Sequence, residues 1–281
     1  MVVRDCLYLN WALPAAAVPE PPAPLRYQRH PWNGRDYIFA SVLLFHQDAI
    51  RLAAIPLPRL GYPQLNARFY VLDGEGIPGV LLHTMLMPAW VASGVRLMAR
   101  QPAAGASLDF PRPSRDAAAR SWRWRAERHG TLTVRAWVDS PAVGEGPRLG
   151  TWEETVRYFQ DRPRGYAVCA GGLRRIDVSH PPAPVWPLRA ELDGDGLLRR
   201  LLPFAGPETD GGSAAWPALH STWLTPEMPF SFALDLVPSV PVVQHLPHPA
   251  AGRVASPVLR SDVLLPSGAE SGPQAVLASA A

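Results

Sequence analysis

The chain has 281 residues, of which 47% are hydrophobic, and its formal net charge at pH 7 is only +3. So small a charge does not favour a nucleic-acid-binding protein, and the apolar content is ample for a hydrophobic core. The 33 prolines argue against long helices and for strands, turns and extended connections.

All 27 basic residues are arginine, because the sequence contains no lysine. A bias in genomic base composition is the simplest explanation for the absence of lysine. This absence still has a chemical consequence. A Schiff base needs a primary amine, and no side chain of this sequence supplies one.

The cysteines and the amino terminus bear on the compartment. Cys6 and Cys169 are far apart and form no metal pattern, which indicates a reducing compartment without a disulfide framework. Asp5, Asn10 and Pro14 interrupt what would otherwise resemble the apolar region of a signal peptide. No apolar run approaches the ~20 residues that span a bilayer. We therefore expect a cytoplasmic protein with no membrane segment.

The predicted strands are, in chain order, residues 5–13, 36–45, 65–72, 79–87, 121–127, 131–138, 166–170, 173–179, 187–192 and 230–237. Most of them form hairpins across glycine-rich turns, such as Asp73-Gly74-Glu75-Gly76. Apolar residues recur at helical spacing after Pro88 and after Thr151, where Thr151 and Glu154 match a capping box. The predicted fold class is therefore α+β, rich in β-structure, with two short helices.

The domain organisation follows from composition. β-type patterns recur without a break, which predicts a single domain over residues 1–240. Prolines, alanines and serines then dominate, so residues 245–281 are predicted to be a disordered tail. Apart from this tail, the sequence offers no support for a structural or interaction module.

The strand from Leu65 to Leu72 alternates, with apolar residues on one face and Asn66, Arg68 and Tyr70 on the other. An arginine between an amide and a phenol is typical of a solvated edge or of the wall of a polar pocket. Alternation alone leaves both interpretations open.

Five segments follow the order and spacing of motifs in a known family: residues 8–14, 34–37, 62–71, 158–162 and 172–188. The third contains Pro-Gln-Leu-Asn-Ala-Arg-Phe-Tyr-Val, where the family has Pro-Glu-Leu-Asn-Val-Arg-Thr-Tyr-Val. The fourth, Tyr-Phe-Gln-Asp-Arg, is similar to the family's Phe-Leu-Thr-Glu-Arg. On these segments the chain resembles the YqjF-like bacterial proteins, which are grouped with the acetoacetate-decarboxylase-like superfamily.

The resemblance implies a cone-shaped antiparallel β-barrel with a second sheet wrapped around it and a central cavity. It carries the recurring arginines of the family over to Arg68 and Arg162. It places Asp161 where the family has a glutamate, one methylene longer. The Schiff-base decarboxylation known in the superfamily is excluded here, because the chain has no lysine side chain to form the imine.

The candidate catalytic residues are Asp161, Arg68 and His180. An aspartate in a cavity would act as a general acid or base, and arginines beside it would hold a carboxylate, enolate or phosphate. His180 suits proton transfer near neutral pH. Each also has a structural interpretation, such as an ion pair for Asp161 and a single loop hydrogen bond for His180.

The candidate substrate-binding residues are Arg162, Tyr70, Arg175, His83, Tyr62 and Trp186. Tyrosine and tryptophan side chains suit an apolar or aromatic substrate. His83 interrupts an apolar strand, where it is either a cavity residue or a core histidine with its hydrogen bonds satisfied.

No cofactor and no metal are expected. His245 and His248 have no carboxylate or cysteine nearby, and residues 193–196 lack the closing glutamate of a calcium loop. Nucleic acid is not an expected partner, because Trp122-Arg123-Trp124-Arg125 alternates as any half-buried strand does.

These features favour a cofactor-independent enzyme of the lyase, dehydratase, isomerase or cyclase type. Its substrate would be a small apolar or aromatic carbonyl, enol or carboxylate compound held in a barrel cavity, and biosynthesis is the expected setting. The alternative is a protein that binds such a molecule without transforming it. The sequence leaves a homo-oligomer open.

Overall fold

The computed structural model describes residues 1–50, 60–99, 101–111, 121–169, 172–203 and 216–234. The predicted tail over 245–281 lies outside the described residues, as do His245 and His248. The division into a domain over 1–240 and a tail therefore stays a prediction.

The described chain is mostly β-structure. The strands are β1 (Val2–Pro14), β2 (Arg26–Tyr27), β3 (His30–Trp32), β4 (Arg35–Ile50), β5 (Leu60–Leu72), β6 (Pro78–Met87), β7 (Ala103–Gly105), β8 (Ser107–Asp109), β9 (Ser121–Glu127), β10 (Thr131–Val138), β11 (Arg164–Cys169), β12 (Gly172–Ser179), β13 (Trp186–Asp193), β14 (Ser221–Pro229) and β15 (Ser231–Leu234). The helices are α1 (Ala89–Ala99), α2 (Trp152–Gln160) and α3 (Asp195–Leu201), with a 3-10 turn over Ala15–Ala17.

The strands form one continuous sheet in the order β15-β12-β11-β6-β5-β4-β1-β14-β13-β10-β9-β8. Its two end strands do not pair with each other in the described residues, so the closed barrel of the prediction is not confirmed. Most neighbours are antiparallel, but β6 pairs in parallel with both β7 and β11. The prediction of a β-rich sheet with short helices is confirmed, and the described residues contain three helices in place of two.

The central strands are buried on both faces, because each face packs against a different partner. Residues Leu65, Ala67, Phe69 and Val71 of β5 are at most 1% exposed and share a core with β9, β10 and α3. Tyr70, on the other face, is fully buried in a second core with Val156 and Phe159 of α2. The predicted alternation of β5 is therefore confirmed, and its polar face lies under α2.

Helix α2 is fixed at its start by the predicted capping box. The Thr151 hydroxyl accepts from the Glu154 N–H at 3.2 Å, and the Glu154 carboxylate accepts from the Thr151 N–H at 2.7 Å. Two of the unpaired N–H groups at the helix start are thereby satisfied. The helix then crosses the sheet with its apolar side inward, which brings its carboxyl-terminal end over Arg68 and Tyr70.

Several observed elements are absent from the predicted set, including the short strands β2, β3, β7 and β8 as well as β14 and α3. The sequence of β14 does not alternate between apolar and polar residues. Its first five residues are all buried, and they include Ser221, Thr222 and Thr225. α3 has only seven residues and follows Gly194, whose φ of +89° is typical of glycine. A helix this short leaves too little periodicity to be distinguished from any short apolar segment.

Candidate functional site

The three candidate catalytic residues meet around the last turn of α2. Arg68 Nη2 donates to the Phe159 carbonyl oxygen at 2.9 Å, and His180 Nε2 lies 3.2 Å from the Gln160 carbonyl oxygen. Asp161 is the residue that ends the helix and is exposed. A cation at the carbonyl end of a helix complements its dipole. Arg68 and His180 therefore bind the helix end, and neither is shown to contact Asp161.

A chain of buried hydrogen bonds leads from Arg68 across four strands. Arg68 Nη2 donates to the Tyr70 hydroxyl at 3.0 Å, and this hydroxyl lies 2.8 Å from Ser41 Oγ. Ser41 donates to Asn10 Oδ1 at 2.5 Å, and Asn10 Nδ2 donates to the Ser221 carbonyl oxygen at 3.1 Å. Tyr70, Ser41 and Asn10 are fully buried. The Tyr70 hydroxyl is thus engaged within the protein.

Arg162 is a buried cation, only 6% exposed. Its Nη1 donates to Gln28 Oε1 at 3.2 Å, while its Nε has no hydrogen-bond partner among the described residues. No carboxylate of those residues forms an ion pair with it. Its Cζ lies 4.0 Å from the centre of the Tyr158 ring and 5.1 Å from that of Tyr70. A buried charge is costly without a partner, so this arrangement suits an incoming anion.

A recess of about 300 Å³ opens beside this arginine. It is lined by Leu149, Glu154, Arg157, Tyr158, Asp161 and Arg162. The volume is at the lower end of what small-molecule sites enclose. The recess therefore brings two candidate residues from the sequence, Asp161 and Arg162, together with a tyrosine.

Tyr158 forms a pair with a histidine that the sequence did not reveal. Its hydroxyl lies 3.0 Å from His30 Nε2, and the two rings meet edge to face. Burial raises the pKa of Tyr158, and burial together with the charge of Arg162 lowers the pKa of His30. Both groups are therefore neutral at pH 7, and the phenol keeps its proton.

The remaining candidate residues lie elsewhere. Arg175 forms an ion pair with Asp177 at 3.2 Å. Tyr62 packs near α1, and Trp186 stacks on another tryptophan. His83 is exposed and lines a second recess. None of these four lines the recess beside α2, so their role in substrate binding stays a prediction without geometric support.

Neither a metal-binding cluster nor a membrane-spanning helix occurs in the described ranges. No group of three or more histidine, cysteine, aspartate or glutamate side chains there is placed to hold a metal ion. None of the three helices has the length and apolar character that a membrane crossing requires. Cys6 and Cys169 are both buried and free.

The sequence matches the model of one protein family. The model of DUF2071, described as an uncharacterized conserved protein, matches residues 1–210, which confirms the resemblance to the YqjF-like family. No curated protein matches the sequence.

The solved structures that are distantly similar to this chain include complexes of one biosynthetic enzyme and a second enzyme from another source. The enduracididine biosynthesis enzyme MppR with HEPES buffer bound is 15% identical, with 83% of this chain and 86% of that one covered and a TM-score of 0.48. The same enzyme complexed with pyruvate is 14% identical, with 83% and 88% covered and a TM-score of 0.49. An acetoacetate decarboxylase-like enzyme from Sphingomonas wittichii RW1 is 11% identical, with 82% and 89% covered and a TM-score of 0.47. Similarities this distant do not indicate which reaction, if any, this chain catalyses.

Proposed function

We propose that this chain, which belongs to the DUF2071 family, is an enzyme that transfers a proton on a small carboxylate or enolisable carbonyl compound. The recess beside α2 is its site. The observation that carries the proposal is Arg162, a buried guanidinium with an unpartnered Nε and no carboxylate partner in the described part of the chain. A substrate anion in the recess would supply the missing partner.

The residues of the recess divide the chemistry between them. Arg162 binds the carboxylate or enolate oxygen of the substrate. Tyr158, which keeps its proton, donates a hydrogen bond to the oxygen on which negative charge develops. His30 is a positioning residue that holds the phenol through its 3.0 Å contact.

Asp161, at the rim of the recess, is the proposed general base. The carbon–hydrogen bond next to the carbonyl breaks, and the proton goes to the Asp161 carboxylate. The electron pair moves into the enolate, whose oxygen faces Tyr158 and Arg162. Return of the proton to another carbon gives an isomerase, and its delivery to a leaving hydroxyl gives a dehydratase. Neither step needs a cofactor or a Schiff base.

Arg68 and His180 have a positioning role in this proposal. Arg68 donates to the Phe159 carbonyl and to the Tyr70 hydroxyl, and His180 lies against the Gln160 carbonyl. Both therefore fix the end of α2, the helix that carries Tyr158 and precedes Asp161 and Arg162. Their substitution would misplace the site without removing a substrate contact.

The first experiment tests anion binding with Arg162→Gln. A hydrogen bond to a charged group contributes about 1.5–3 kcal/mol, so we expect the affinity for aromatic 2-oxo and 3-oxo acids to fall by roughly 10- to 100-fold. Calorimetry measures the affinity. The matched control is Arg135→Gln, on the exposed side of β10, which should bind as the native protein does. Equal affinity in the Arg162 variant would refute the proposal.

The second experiment separates an enzyme from a binding protein. In D2O, the native enzyme should exchange the hydrogen next to the carbonyl of a bound oxo acid faster than the uncatalysed reaction. Asp161→Asn should keep the affinity and lose this exchange, which NMR follows directly. Binding without exchange in the native protein would favour the alternative, a protein that holds the compound unchanged.

A further inference from the structure

A second recess, of about 350 Å³, lies where β6, β7, the β9–β10 turn and α3 meet. Its apolar floor includes Leu86, Leu197 and Leu201, which belong to the core on the face of the sheet opposite α2. It shares no lining residue with the recess that contains Arg162. The proposed function does not use it.

Four nitrogen-bearing side chains surround this floor: His83, Arg128, His129 and Arg200. No aspartate or glutamate is among the lining residues. Arg128 Nη1 donates to the Gly105 carbonyl oxygen at 2.6 Å, and its other N–H groups are left for a ligand. In the described part of the chain, no hydrogen bond or ion pair engages Arg200. The rim is therefore positive and lacks a counter-charge from its own lining.

Both histidines of the rim lie at irregular points of the backbone. In the pairing of β5 with β6, Ala67 lies opposite Thr84 and Arg68 opposite Leu82, so His83 is the extra residue of a β-bulge. Bulges re-aim a side chain, and they are common beside functional sites. His129 has a φ of +50°, which is unusual for a residue other than glycine. Both side chains are exposed, and within the described ranges neither has a hydrogen-bond partner.

We propose that this basic recess binds a small amphipathic carboxylate, such as a medium-chain or aryl-alkyl carboxylic acid. The apolar part of the ligand packs against Pro102 and Ala104, the half-buried apolar residues of the lining, and its carboxylate lies between Arg200, Arg128 and the two imidazoles. A few polar groups around an apolar floor are the usual composition of a small-molecule site. Arginine is suited to carboxylates, because its planar N–H groups match the two oxygens.

Octanoate is the probe, and octanol is its neutral match. We expect octanoate to bind the native chain at least about tenfold more tightly than octanol, since the charged contact is worth about 1.5 kcal/mol or more. Affinity is measured by calorimetry. The imidazole signals of His83 and His129 should also move in NMR spectra when octanoate is added.

Variants separate this recess from the one beside α2. In the Arg162→Gln background, where the other recess lacks its anion contact, adding Arg200→Gln with His129→Gln should lower octanoate affinity by about tenfold or more, while adding Arg135→Gln should leave it unchanged. Arg200 and His129 are both exposed, and circular dichroism checks that the fold is retained. Undiminished affinity after the double substitution overturns the proposal, as does equal binding of octanol or no binding of octanoate.

Discussion

A single phenol, Tyr70, allows a charged side chain to lie under α2. Its hydroxyl accepts from Arg68 and reaches Ser41, so two polar groups depend on one oxygen atom. Buried polar groups in native proteins are nearly always hydrogen-bonded, since an unpaired one costs free energy. The sequence predicted that Tyr70 and Arg68 share a face, and strand alternation is sufficient for that.

Tyr70→Phe should lower the free energy of unfolding by about 1–3 kcal/mol, because it leaves Arg68 and Ser41 without this oxygen. Urea denaturation measures the change. Tyr37→Phe is the control, because Tyr37 is only half-buried and no hydrogen bond engages its hydroxyl among the described residues. We expect the control to change stability by less than about 0.5 kcal/mol. Equal effects would mean that the Tyr70 hydroxyl has no special role.

The partners of Arg162 and Tyr158 could not be predicted from the sequence. Gln28 is 134 residues from Arg162, and His30 is 128 residues from Tyr158. Both partners lie in the proline-rich segment before β4, where no periodic pattern marks a functional side chain. A local pattern reports which face a residue takes, whereas these contacts depend on how α2 is placed on the sheet.

At the level of elements, α2 is the part of the site that the sequence encodes most directly. The capping box, the apolar spacing and the final Asp161-Arg162 pair are all local, and the structure has α2 where they predict it. β14 and α3 lack such signals, since the first five residues of β14 are all buried and α3 has only seven residues.

Thr151→Ala should destabilise the protein by about 1 kcal/mol, because the first turn of α2 loses its hydroxyl acceptor. Urea denaturation gives the magnitude. Glu153→Gln is the matched control. It is exposed in the same turn, and its side chain makes no hydrogen bond in the described part of the chain. If both variants unfold at the same urea concentration, the capping box does not hold the helix in place.

Among the described residues, the buried His220 and the half-buried His30 and His46 lower stability in acid. Burial lowers the pKa of His220 to about 4, although its hydrogen bond to the Pro147 carbonyl acts in the opposite direction. Burial also lowers the pKa values of His30 and His46. In the unfolded chain these imidazoles take up protons near pH 6.5, whereas in the folded protein they take up protons only at lower pH. Their contribution to the free energy of unfolding is therefore fully present above pH 6.5, and for His220 it is lost as the pH falls towards 4.

For His220, the difference amounts to about 3 kcal/mol between pH 7 and pH 4. His220→Gln should therefore lose less stability over this interval than the native chain. Urea denaturation at both pH values measures the two losses. Asp5 acts in the opposite sense, because burial raises its pKa to about 6 against the lowering effect of Arg4. His129→Gln, an exposed position, is the control, and identical acid sensitivity in the His220 variant would contradict this account.

The position of β1 in the sheet has a consequence for synthesis on the ribosome. One edge of β1 pairs with β4, which is synthesised soon afterwards. The other edge pairs with β14, and Ser221, the partner of Asn10, is 211 residues further along the chain. Until then one backbone edge of the first strand is open to other nascent chains. Bulges and charged residues make such an edge a poor template for aggregation. The charged side chains of Arg4 and Asp5 and the positive φ of Asp5 would make the β14-facing edge of β1 a poorer template while it is unpaired.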